Sequence, residues 1–151
     1  MQRWIVLAAC VFLLGGGGAF AMWNRHQNKP DAVWSPLVLN ANSTDNEKES
    51  LQKQVDTFLR GRTVLATVVK DLGLVARFQV GSEEEAIDEL SRRMFIEIGQ
   101  ANPPANTSTS LNVGVRGKAK EHALIGEISS HLMKELSGHL ASKKSTPRKD
   151  F

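Results

Sequence analysis

The chain has 151 residues, 41% of them hydrophobic and 23% charged, with no tyrosine and a formal net charge of +3. That length leaves room for one domain. Much of the positive charge lies in the last ten residues, SKKSTPRKDF, which reads as a basic tail and excludes a nucleic-acid groove as the expected function.

From Trp4 to Trp23 the run WIVLAACVFLLGGGGAFAMW carries no charged side chain, which is about the length an α-helix needs to cross a hydrocarbon core. Leu7, Leu13, Leu14 and Phe20 supply apolar surface. Trp4 and Trp23 stand at the two ends, with Arg3 and Arg25 just outside. Indole rings favour the headgroup region and arginines cross lipid at high cost, so both flanks suit a membrane anchor. Gly15 to Gly18 weaken a helix in water, but a bilayer penalises unsatisfied backbone enough to tolerate them. The same residues also read as a secretory signal, with MQR as its charged start and Ala19-Phe20-Ala21 as its cut site. Leu7-Ala8-Ala9-Cys10 imitates a lipoprotein box, but too few apolar residues precede the cysteine. Cys10 is the one cysteine, so no disulfide can form within the chain. Either reading carries the rest of the chain across a membrane, and the short lead before Arg3 favours a cytoplasmic N-terminus.

The expected organisation is an anchor over 1–25, a polar tether over 26–32, a domain over 33–141 and a disordered basic tail over 142–151. VWSPLVLN, residues 33–40, has strand composition, and Pro36 confines that strand to an edge. Thr44 or Asp45 can cap a helix that begins near Glu47 and buries Leu51, Val55, Phe58 and Leu59. Gly61 interrupts it. GRTVLATVVKDLGL then sets Val64, Leu65, Val68, Val69 and Leu72 at helical spacing, and Gly73 supplies the left-handed residue that stops the helix, with Leu74 free to fold back. Ser82 with Glu85 three positions on marks another helix start, running to about Arg93. Met94 to Ile98 changes to strand chemistry. Gln100 to Ser108, with two prolines, reads as an exposed loop. Ser110 to Arg116 alternates polar and apolar, a half-buried strand, and Gly117 is the expected turn. A final helix from about Lys118 places Ile125, Ile128, Leu132, Leu136 and Leu140 on one stripe. The order predicts an α+β domain, a small sheet with helices packed on one face.

Candidate chemistry is sparse. His122, His131 and His139 lie on the last helix with Glu127 and Glu135 nearby, but one helix rarely converges three ligands and no HExxH pattern is present, so no metal is expected. Ser50 and Lys53 fit S-x-x-K without the partner motifs of acyl enzymes. The four glycines lack the lysine and hydroxyl of a phosphate loop. Arg92-Arg93 and the basic tail are cations that could meet an anionic glycan or lipid, but they read first as a solvated helix end and an ordinary disordered terminus. No cofactor and no catalytic residue is expected.

The order and spacing of these phrases resemble the membrane-proximal region of polysaccharide co-polymerases, the Wzz-type chain-length determinants and related exopolysaccharide export proteins. In that family a first transmembrane helix leads at once to a strand. A helix then ends in a phrase matched here by Gly61-Arg62-Thr63-Val64-Leu65 through Leu72-Gly73-Leu74. The next helix is matched by Glu85-Ala86-Ile87-Asp88-Glu89-Leu90-Ser91-Arg92-Arg93, and the later strand by Thr109-Ser110-Leu111-Asn112-Val113-Gly114-Val115. The resemblance covers about residues 5 to 140. These residues hold neither the family's long helical extension and second, proline-preceded membrane helix nor a Walker motif, so they look like the base of such a protein. The resemblance implies a non-catalytic scaffold in a bacterial inner membrane, its domain on the periplasmic side. Its partners would be the membrane, further copies of the chain as a homo-oligomer, and polysaccharide polymerase or export proteins. It places packing and assembly on Val64, Val68, Leu72, Gly73, Ile125, Ile128, Leu132 and Leu136, with strand edges and the last helix as contact surfaces. The alternative is a secreted periplasmic binding module released by cleavage after Ala21.

Overall fold

Thr44 opens the first long helix by exchanging bonds with its own first turn: its hydroxyl accepts the Glu47 N–H at 3.3 Å, and the Glu47 carboxylate accepts the Thr44 N–H at 2.8 Å. This capping box satisfies two donors that helix geometry leaves without partners. The helix, α1, spans Asp45–Leu59. The computed structural model describes residues 22–102 and 106–145. The chain runs β1 (Pro30–Val38), α1, α2 (Arg62–Asp71), α3 (Leu74–Phe78), α4 (Glu83–Arg93), β2 (Met94–Asn102), β3 (Asn106–Lys118), a 3-10 turn (Ala119–Glu121) and α5 (His122–Ser145).

The strands form one antiparallel sheet in the order β1-β3-β2. In register, Val33, Val115 and Met94 face the helices, as do Ser35, Val113 and Ile96, and then Leu37, Leu111 and Ile98. Alternate residues point the other way. α5 packs on β1 and β3, α1 packs on β2, and α2, α3 and α4 pack against one another beside them. Mixed helix and sheet, an α+β architecture, is therefore what the alternating and helical periodicities produce.

The core is a single cluster. Leu59, Val68, Leu74, Leu90, Leu111, Val113, Val115, Ile125, Ile128 and Leu132 are fully buried in it. Gly73 has φ of 59° and closes α2, so the chain reverses without the steric penalty a side chain would meet. Leu74 then folds inward, as its position after the glycine implies, and opens a further short helix, α3, that is too brief to show periodicity. α3 ends at Gln79, which adopts φ of 57° without being glycine. Ser82 caps α4 by accepting the Glu85 N–H, whereas the Glu85 carboxylate reaches back to the Gly81 N–H. No loop separates α4 from β2: Arg93 ends the helix, and Met94 starts the strand while its N–H still bonds Leu90.

Several boundaries differ from the sequence expectation. β1 begins at Pro30 and residues 22–27 are helical, so the polar stretch from 26 to 32 is not a slack tether. Lys29 is tied down: its carbonyl accepts the Ala119 N–H at 2.9 Å, and its N–H bonds the His26 carbonyl. The strands continue through most of the expected loop at 100–108, to Asn102 and from Asn106, because backbone pairing needs no hydrophobic alternation. β3 passes through Gly117, and the turn follows it. α5 continues to Ser145, past the expected helix end at 141; the rest of the tail, 146–151, lies outside the described residues. So do the anchor residues Trp4, Leu7, Leu13, Leu14 and Phe20. Among the described residues no helix is long and apolar enough to cross a membrane.

Candidate interaction surface

A surface that meets partners must first be free of the chain's own core. Ile125, Ile128, Leu132 and Leu136 lie under α5 against the sheet, and Val68 is equally enclosed. Val64 and Leu72 are partly buried against the same cluster. These residues hold the fold together, and a partner would find other side chains at the surface.

The sheet edges are the next surface to consider, since an unpaired edge is a template for another strand. Ala119 bonds the carbonyl of Lys29 and Leu39 donates to Thr109, so odd-numbered residues of β1 turn their backbone to β3 and even-numbered ones turn outward. Outward positions therefore include Pro30 and Pro36, which have no N–H, and Ala32, whose N–H is taken by the Asp31 carboxylate at 2.9 Å. On β2 the outward carbonyls of Ile96 and Met94 are occupied by Gln52 Nε2 at 2.8 Å and by Arg60 Nη2 at 3.4 Å, both from the α1 side. Both edges are largely blunted.

The helix-free face of the sheet remains. Trp34, Gly114 and Phe95 form one row across it, and Pro36, Asn112 and Glu97 the next. Phe95 lies over Gly114, where a Cβ would sit 2.5 Å from its Cζ, and Arg116 covers Phe95 at 4.8 Å while pairing with Glu97 at 2.6 Å. This half of the face is closed by a cation on an aromatic ring. The β1 half stays open, with Trp34 43% exposed and Val38 58% exposed. A groove of about 410 Å³ runs beside Trp34, lined by Ala32, Pro36, Ala101, Asn102 and His122. At its end His122 Nδ1 stands 2.7 Å from Asp31 Oδ2, and that bond holds the Asp31 carboxyl below its ordinary value.

Elsewhere the polar side chains are spent on the fold. Arg93 lies over the Phe78 ring at 4.7 Å and pairs with Glu89 at 2.7 Å and Glu121 at 3.3 Å. Arg92 also pairs with Glu89, so neither arginine of the expected cationic pair is unpartnered. Burial works against ionised Glu121, but the Lys118 N–H and Arg93 outweigh it and hold its pKa below 4.5. Arg77 joins Glu127 at 2.5 Å, tying α3 to α5. The three histidines diverge. His122 meets Asp31, His131 lies 3.3 Å from Asp71, and His139 stacks on Phe58 with ring centres 4.0 Å apart. Among the described residues no group of three or more ligand side chains could hold a metal ion. Ser50 Oγ accepts from Gln54 Nε2 at 3.3 Å, and Lys53 shares a shallow exposed groove with it, Phe58 and His139.

No protein-family model, curated protein or solved structure matches the chain. Sequence reasoning did not single out Trp34, His122 with Asp31, or the caps on β2. Trp34 two residues before Pro36 in an edge strand was the one visible signal, since alternation there sets Trp34 and Pro36 on the same face.

Proposed function

We propose that the chain is a non-catalytic scaffold, anchored in a bacterial inner membrane by residues 4–23, whose α+β domain associates laterally on the periplasmic side. Its partners are copies of itself and the polymerase or export proteins of surface-polysaccharide assembly. The observation that carries this reading is the order of elements: apolar segment, strand, helix closed at Gly73-Leu74, helix, strand, strand and long helix. That is the order on which the resemblance to chain-length determinants rests. The open half of the sheet face, around Trp34 and Val38, is the contact surface the fold leaves available. Anchored copies side by side raise the effective concentration of whatever they bind, which is work a domain can do without catalytic groups.

Crosslinking in native membranes with mass analysis tests the reading. A ladder of crosslinked species at full-length mass is expected, weakened by Trp34→Ala. A strictly monomeric, detergent-independent product would refute the scaffold. The groove beside Trp34, with Asn102 and the Asp31–His122 pair at its rim, favours one second reading, a secreted periplasmic binding module. A mature product beginning at Met22 would establish it over the first.

A further inference from the structure

Five basic side chains gather where the helical residues 22–27 join the sheet. Arg25, His26 and Lys29 line one hollow with Met22. Lys118 is the register partner of Pro30, and Ala119, between Lys118 and Lys120, is bonded to the Lys29 carbonyl. All five are exposed. The acidic groups at this end are engaged elsewhere: Asp31 with His122, and Glu121 with Arg93 and the Lys118 N–H. Among the described residues Arg25, Lys29 and Lys120 form no ion pair. Beside these cations Met22 is 78% exposed and Trp23 67% exposed, at the end of the apolar run.

We infer that this end of the domain is a docking surface for anionic phospholipid headgroups. Apolar side chains that belong in the interface lie next to cations lacking carboxylate partners, the pairing that binds an acidic bilayer surface. The Lys29–Ala119 bond holds the linker cations beside those on the β3–α5 turn. The inference rests on the anchored reading, which brings that end to the membrane.

The test uses the full chain in lipid nanodiscs of phosphatidylcholine alone, or of phosphatidylcholine mixed with phosphatidylglycerol, and reads lysine acylation residue by residue. Lys29, Lys118 and Lys120 should react about fivefold more slowly or less in the acidic discs, the effect of about 1 kcal/mol per cation. Molar salt should restore their rates. Lys53 and Lys134, in grooves on the helical side, should not change. Equal rates in the two lipids, or equal slowing at Lys53 and Lys134, would overturn the inference. Recovery of the chain with neutral discs reads the anchor separately. A chain that stays out of neutral lipid refutes anchoring, and labelling on acidic vesicles then decides the headgroup contact alone.

Discussion

Replacing Gly114 by alanine should destabilise the domain more than any other single methyl addition in the sheet. A Cβ at this position would stand 2.5 Å from Phe95 Cζ and 2.6 Å from the Val33 carbonyl oxygen. The ring can swing aside at the expense of its stacking under Arg116, but the carbonyl belongs to the backbone of β1 and moves only if the strands separate. Overpacking of this kind costs about 1–3 kcal/mol, and the backbone clash places this site at about 3. Each kcal/mol lowers the Tm of a domain this size by roughly 4–8 °C. Thermal and urea denaturation followed by circular dichroism would measure the loss. The double variant Gly114→Ala/Phe95→Ala separates the two causes, since removing the ring relieves one clash and leaves the other. Gly126→Ala, on α5 with nothing within 4 Å of the added atom, is the control and should gain about 0.5–1 kcal/mol. A Gly114→Ala protein as stable as wild type, or one fully rescued by Phe95→Ala, would refute the account of this close approach.

Arg93→Met keeps the packing on Phe78 but leaves Glu121 without its arginine and Glu89 with Arg92 alone, with an expected loss of about 1–3 kcal/mol in urea titrations at neutral pH. Because the folded pKa of Glu121 is depressed, its share of that stability is present above about pH 4.5 and disappears as pH falls through the folded value; the gap between wild type and variant should narrow there. Gly73→Ala should lose about 1–2 kcal/mol from its left-handed φ alone, as nothing crowds the site, while Gln79→Gly should gain up to about 1 kcal/mol by the same rule, both read from chemical denaturation. Thr44→Ala removes half of the capping box and should lose about 1 kcal/mol. Pro36→Val restores an outward N–H on β1, and light scattering should then detect strand-edge association that wild type lacks.

The elements legible in the sequence were those written in local code. Thr44, Ser82 and Gly73 act within four residues of themselves, and the stripe from Ile125 to Leu136 repeats at the helical period, so each was readable without the fold. The extensions of β2 to Asn102 and of β3 back to Asn106 were not, because prolines and asparagines at 102–106 mimic a loop while the pairing is made by backbone. α3 has five residues, fewer than two turns. The candidate surface was less legible still. Alternation told that Trp34 and Pro36 share a face, but which face the helices cover depends on how residues 45–93 and 122–145 dock. The caps placed on β2 by Gln52 and Arg60 join residues 44 and 34 positions apart, a separation no local motif encodes.

The direct passage from Arg93 to Met94 governs where this chain can be lengthened. One residue added there would swap every side chain of β2 between the core and the open face, putting Phe95 and Glu97 where Ile96 and Ile98 belong. Tags, reporters or inserted segments belong at 40–43, where the turn after β1 is exposed and no sheet register is carried across it. A library of single-residue insertions, scored for folded product, should thus show tolerance at 40–43 and a sharp blank at the α4–β2 junction.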